Sequence, residues 1–198
     1  FDVYSLRSTY LPDWGLPWDP TTSKPYGKRT NFYGVLARDE GKADTDVATF
    51  KIDWDLSDDL VFHSIIRGGE SLNYYTASAP EQPNVLLDTV RANAKRRAAT
   101  TSYLTHQTNL TWQSNLGGMS HTIVGGYELS REETENRQRA FTECAILPCT
   151  GTNANPTLSL SNPDPTIAFG RETAITARPV ITVDTRAFYL IDTIKLTP

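Results

Sequence analysis

The chain has 198 residues, enough for one domain or a large piece of one. An apolar fraction of 38% and an aromatic fraction of 10% exclude a disordered chain, and a net charge of −4 gives a nucleic-acid partner no electrostatic support. No apolar run approaches the ~18 residues of a membrane helix, so only strands could cross a bilayer here.

The chain opens with Phe1 instead of Met, which predicts a processed or cut N-terminus. "FDVYSLRSTY" (1 to 10) reads as a first strand. "PDWGLPW" (12 to 18) follows. Its two prolines, glycine and two tryptophans predict a rigid loop packed on itself, or a rim presenting Trp14 or Trp18 to a ligand. In "ATFKIDWDL" (48 to 56) Ala48, Phe50, Ile52, Trp54 and Leu56 alternate with Thr49, Lys51, Asp53 and Asp55. Strand side chains alternate between faces, so this strand has one apolar and one charged face. Ser57–Asp59 predicts a short turn. "LVFHSIIRGG" returns with Leu60, Phe62 and Ile66 on one face, completing a hairpin.

The polar, proline-containing stretch 78 to 88 is expected to be a loop. Alternation resumes with Leu104, Thr108, Leu110 and Trp112 on one face. A second short turn is expected at Ser114–Gly118, then a strand with Met119, Ile123, Gly125, Tyr127 and Leu129 on one face. "SREETENRQRAF" (130 to 141) reads as that strand running out into a charged loop. The segment 132 to 178 predicts one long connection. "ITVDTRAFYLIDTIKL" (181 to 196) reads as a last strand whose faces its sequence does not assign.

Short turns thus alternate with long connections. An outer-membrane barrel has this asymmetry, with short turns on the periplasmic side and long loops outside. The fold class expected is all-β, an antiparallel up-and-down transmembrane β-barrel, partial, with about six strands of a larger barrel. The apolar face then meets lipid and the charged face a wet lumen, with Trp54 and Trp112 in an interfacial girdle. Distance from the short turn orders the depth of the apolar side chains as Trp54, Ile52, then Phe50. A soluble sandwich with the same face in its core accounts for the alternation too.

Cys144 and Cys149 lie close together in a polar stretch. They are expected to form a local disulfide, which places the segment in an oxidising compartment. His63, His106 and His121 fall within strands, and no nucleophile–base pattern accompanies them. Neither a catalytic site nor a metal site is expected. Asp44–Asp46 lacks the glycine and glutamate spacing of a calcium loop.

Five stretches in order carry a family resemblance: "YLPDWGLPWDP" (10 to 20), "YGKRTNFYGVLARDEGKADTDVATFKI" (26 to 52), "LTHQTNLTW" (104 to 112), "HTIVGGYELSREETENR" (121 to 137) and "FYLIDTIKL" (188 to 196). Together they resemble the barrel of TonB-dependent siderophore receptors, particularly the catecholate type. The resemblance implies a barrel of roughly 22 strands in the bacterial outer membrane, and a separate plug domain that engages TonB. Residues 1 to 198 are then part of the barrel domain, with the plug and the barrel closure outside this chain.

The implied activity is active import of ferric siderophores, not enzymatic catalysis. The implied partners are a ferric siderophore of the catecholate class, TonB through the plug, and outer-membrane lipid. No cofactor is implied. A ferric catecholate complex is anionic with flat aromatic edges, so cations and aromatic rings suit it. The groups placed to supply them are Trp14, Trp18, Tyr74, Tyr75, Lys95, Arg96, Arg97, Arg131, Arg137 and Arg139. Any of these cations could instead serve as a solvated loop charge or contact lipopolysaccharide phosphate. A passive porin or structural barrel, and a soluble all-β carbohydrate-binding module, remain alternatives at this point.

Overall fold

The structure, a computed structural model, describes residues 1–138, 141–144, 155–167, 170–172, 175 and 177–196. The chain forms β1 (Asp2–Tyr10), β2 (Trp18–Asp19), β3 (Lys24–Pro25), β4 (Glu40–Ser57), β5 (Leu60–Asn84), β6 (Thr89–Leu116), β7 (Met119–Asn136), β8 (Phe141–Cys144), β9 (Thr157–Ser159), β10 (Gly170–Glu172) and β11 (Val180–Lys195). Six long strands make one sheet in the order β1-β4-β5-β6-β7-β11, and β9 adds to β6. Every neighbouring pair is antiparallel. This is the meander expected from the alternating runs.

Side chains paired across antiparallel strands share a face, so the register assigns both faces. Phe50, Ile66, His106, Leu129 and Arg186 form one row. Ile52, Ser64, Thr108, Tyr127 and Phe188 form the next, and Trp54, Phe62, Leu110, Gly125 and Leu190 the one after. All the apolar sets read from the separate strands therefore fall on one side of the sheet. Trp54 and Trp112 both sit at the short-turn end of that side, as a girdle requires. The opposite side carries Thr49, Lys51, Asp53 and Asp55, facing Arg67, Ile65, His63 and Val61.

The apolar band has a second border. Ser5, Asp46, Glu70, Ser102 and Glu133 form a polar row above it. On β4 the band thus runs from Ala48 to Leu56, and Ile52 lies at its middle. Counting from the short turn alone put Phe50 deepest; the charged row at Asp46 corrects that order.

The short turns are tighter than expected. β4 and β5 are joined by Asp58 and Asp59, with a register shift between Asp55 and Ser57. β6 and β7 are joined by Gly117 and Gly118, at φ of 60° and 82°. Positive φ at both central positions gives a turn whose twist matches the flanking strands, and glycine adopts it without strain.

The largest departure from expectation is 78 to 88, where a strand hairpin replaces the loop. β5 has 25 residues and β6 has 28, whereas a tilted strand crosses the hydrocarbon in ~9–11. The surplus projects beyond the membrane as a hairpin turning at Val85–Asp88. Pro80 fits within β5 because β4 pairs with it only as far as Thr76, which leaves an edge that needs no donor at Pro80. The segment 132 to 178 also carries structure: β7 runs to Asn136, and β9 pairs with β6.

A small core clamps this hairpin from its lipid-band side. Tyr33, Val35, Val90, Ala92, Leu158 and Leu160 are buried together. Tyr33 donates its hydroxyl to the Leu160 carbonyl at 2.6 Å, and the Ala92 amide reaches the Pro156 carbonyl at 2.8 Å. At the hairpin tip the Asp88 carboxylate accepts from Ser159 Oγ at 2.6 Å and from the Ser161 amide at 2.8 Å. These bonds hold its acidity on the strong side of the usual carboxylate range.

The topology makes a direct prediction. Leu86 at the tip is 96% exposed, and Asp58 lies in the opposite turn. In the full-length protein on intact cells, Leu86→Cys should react with an impermeant thiol reagent and Asp58→Cys should not. The reverse labelling would invert the orientation of the sheet.

Candidate ligand-binding site

On the lumen-facing side, above the apolar band, one row crosses four strands: Tyr10, Gly41, Tyr75 and Arg97. Gly41 is required here. A Cβ would lie 2.3 Å from the Tyr10 ring, so glycine lets that ring lie flat across β4. From the loop after β1, Trp14 stacks on Tyr75 with ring centroids 5.9 Å apart and planes tilted by 51°. Lys95, two residues along β6 from Arg97, shares the face.

The two cations differ. Lys95 is held by Glu81 at 2.6 Å, and Asn93 donates to the same carboxylate at 2.6 Å. The hydrogen bond from Lys95, above all, keeps Glu81 below the usual carboxylate range. Arg97 is exposed and makes no hydrogen bond or ion pair among the described residues. The row therefore ends in an uncommitted guanidinium beside an aromatic pair. This is suited to an anion with flat aromatic edges.

The remaining sequence-predicted residues are sorted by face. A run of consecutive cations in a strand must split, so Arg96 points to the other side from Lys95 and Arg97, in register with Thr76 and Glu40. Tyr74 also faces the lipid-band side, where its hydroxyl donates to Glu40 at 2.8 Å. Arg137 is bonded to Glu135 at 2.8 Å, and Arg131 lies 4.0 Å from Asp184, both away from the lumen. Trp18 pairs with Pro25 in a two-residue hairpin and is exposed. Arg139 lies outside the described residues. So does Cys149, and with it the expected disulfide to Cys144.

Sequence reading missed Tyr10, which joins the site only through the β1–β4 register. It also missed the partners of two histidines, because they lie across strands. His63 Nδ1 meets Asp53, and His121 Nδ1 meets Asp192 at 2.8 Å. Asp44 and Asp46 are bound to Lys42 and Arg7. No group of three or more metal-ligating side chains occurs among the described residues.

A single antiparallel sheet with an apolar outer band, tryptophans at the short-turn border and long extensions at the other end is a sector of an outer-membrane β-barrel. No family model matches the chain. Its relatives agree with one another. It is 26% identical to the probable TonB-dependent siderophore receptor PiuA of Acinetobacter baumannii, covering 98% of this chain and 28% of PiuA. It is 27% identical to the catecholate siderophore receptor Fiu of Escherichia coli, covering 94% and 25%. It is 26% identical to the probable TonB-dependent receptor BfrD of Bordetella pertussis, covering 84% and 24%.

The crystal structure of PiuA superposes with a TM-score of 0.79 at 25% identity, over 98% of this chain and 30% of that one. The crystal structure of Fiu shares the fold at the same TM-score of 0.79 and 24% identity, over 98% of this chain and 29% of that one. The chain is homologous to the TonB-dependent siderophore receptors, and its sheet corresponds to part of their outer-membrane barrel. It spans about a quarter of the length of the curated relatives it matches.

Proposed function

We propose that this chain is a barrel segment of an outer-membrane receptor that captures ferric siderophores of the catecholate class for TonB-energised import. The observation that carries this reading is the lumen-side row Tyr10–Gly41–Tyr75–Arg97 with Trp14 stacked on Tyr75. An iron tris-catecholate is anionic and presents ring edges. Arg97 supplies charge, and the rings of Trp14, Tyr75 and Tyr10 supply flat contact area at low entropic cost. Of the ten predicted ligand residues, Trp14, Tyr75, Lys95 and Arg97 are the set this reading retains. In this reading the row serves capture of the ligand, as a receptor wall does. Energy coupling lies in a plug domain outside the 198 residues.

The test is binding of the synthetic iron(III) tris-catecholate complex to the full-length receptor, followed by quenching of intrinsic fluorescence. Arg97→Gln should weaken binding about 5- to 30-fold, the range for a desolvated cation–π partner. Trp14→Ala should weaken it similarly. Arg96→Gln, on the opposite face, should leave it unchanged. Equal losses in Arg96→Gln and Arg97→Gln would refute the assignment.

A further inference from the structure

We propose that a polar cavity on the lumen-facing side of the projecting hairpin binds a sugar acid, a ligand with one carboxylate on a polyhydroxylated ring. Gln82, Asn84, Thr89, Arg91 and Thr157 line it, and its volume of about 450 Å3 falls in the range of small-ligand sites. Three paired strands build it. Arg91 on β6 lies between Glu81 on β5 and Thr157 on β9, so it has a paired strand on either side. Thr89 lies one row further out, in register with Asn84 and Ser159.

Arg91 is left without a countercharge. Glu81 stands directly opposite it, but both Glu81 oxygens are taken, Oε1 by Lys95 Nζ at 2.6 Å and Oε2 by Asn93 Nδ2 at 2.6 Å. Arg91 makes no hydrogen bond or ion pair among the described residues, and its Nε is buried without a partner. A buried charged donor left unpaired is costly. A carboxylate answers it, because it meets the guanidinium fork with two parallel bonds. The backbone is also bent to shape this cavity. Gln82 takes a φ of 53°, a conformation that residues other than glycine rarely adopt, at a bulge that shifts the register between Glu81 and Asn84. Such bulges re-aim a side chain, and here Gln82 joins the cavity wall.

The neutral lining selects the rest of the ligand. Gln82, Asn84, Thr89 and Thr157 offer amides and hydroxyls that both donate and accept, with no aromatic ring among them. That lining matches hydroxyl groups, and one free cation matches one negative charge. An iron tris-catecholate, with several negative charges and flat aromatic edges, suits the row at Arg97 instead. Arg91 and Arg97 are six residues apart on β6, ~20 Å at the rise of a strand, so the two sites are separate. Asp88 adds no free carboxylate at the outer end of the cavity, because Ser159 Oγ donates to it at 2.6 Å and the Ser161 amide at 2.8 Å.

The inference does not rest on the proposed function, so each can fail alone. D-glucuronate is titrated into the full-length receptor in detergent and followed by calorimetry, with folding of every variant checked by heat-modifiable gel mobility. The wild type should bind glucuronate saturably. Glucose, which lacks the carboxylate, and acetate, which lacks the hydroxyls, should each bind at least about 10-fold more weakly, the worth of hydrogen bonds to a charged group. Arg91→Gln should weaken glucuronate binding about 10- to 100-fold, and Thr157→Val, at an exposed position, about 2- to 10-fold. Arg97→Gln should leave it unchanged, and saturating glucuronate should not displace iron tris-catecholate. The wild-type arms and Thr157→Val decide the matter even where Arg91→Gln does not fold. Absence of saturable glucuronate binding, acetate or glucose binding as tightly as glucuronate, or wild-type affinity in folded Arg91→Gln would each overturn the proposal. So would displacement of iron tris-catecholate by glucuronate, because the two sites would then be one.

Discussion

Replacing Asp39 with alanine is expected to undock the segment 26 to 39 from the projecting hairpin, at a cost of about 3–5 kcal/mol. The Asp39 and Arg38 side chains are both fully buried, with Arg38 Nε donating to Asp39 at 2.9 Å. The Asp39 carboxylate also accepts from the Val35 amide at 3.0 Å, the Ser78 amide at 3.1 Å and the Ser78 hydroxyl. Arg38 reaches across to the Ala92 carbonyl at 3.4 Å. Removing Asp39 therefore leaves a buried guanidinium short of its countercharge and frees two amides at once. The sheet below has its own ladders, so the loss is local. The exposed pair Arg7–Asp46, with side chains 55% exposed on both partners, should cost at most ~1 kcal/mol when broken. In the full-length protein, hydrogen exchange at the Val35 amide should accelerate by about two to four orders of magnitude in Asp39→Ala, the equivalent of that cost. Exchange in the central sheet should not change. Unaltered protection at Val35 would show that the pair is dispensable for docking.

That clamp was not legible in the sequence, and the reason is physical. Asp39 and Ser78 meet only because β4 and β5 pair in one register and the loop folds back over the hairpin. No local pattern encodes this contact, 39 residues apart in the chain. Periodicity, by contrast, is local. Phe50, Ile52 and Trp54 announce their face within a few residues, and so do Leu104, Leu110 and Trp112. The strand at 181 to 196 stayed ambiguous for a reason the register makes plain. Ile181, Val183, Tyr189 and Ile191 face the lumen side, while Phe188, Leu190 and Ile194 face outward. With apolar groups on both sides, alternation carries no sign. The stretch 78 to 88 misled through its prolines and polarity, which fit an edge strand in solvent as well as a loop. In the ligand site, residue types were readable and faces were not. Arg96 and Arg97 look equivalent in sequence and point to opposite sides of the barrel wall.

Charge on the outer face should be penalised by depth. Ile52 sits at the middle of the band that Asp46 closes above and the Asp58–Asp59 turn closes below. Ile52→Arg is expected to destabilise the folded barrel by ~2–4 kcal/mol, the cost of a cation near the bilayer midplane. Leu56, beside the turn, should tolerate arginine at ~0–1 kcal/mol, because the side chain reaches the interface. Phe50 and Trp54 lie one step above and below Ile52 and should fall between. Lys51, on the lumen side among Ile65, Gln107 and Glu128, should accept glutamine with little effect. A face buried in a protein core would rank these sites by cavity volume instead, with Trp54 and Phe50 ahead of Ile52. The measurement is folding of the full-length receptor into lipid vesicles, read by heat-modifiable gel mobility across a denaturant series. A penalty for Trp54→Arg exceeding that for Ile52→Arg, or a Lys51→Gln defect as large as either, would contradict the outward direction of this face.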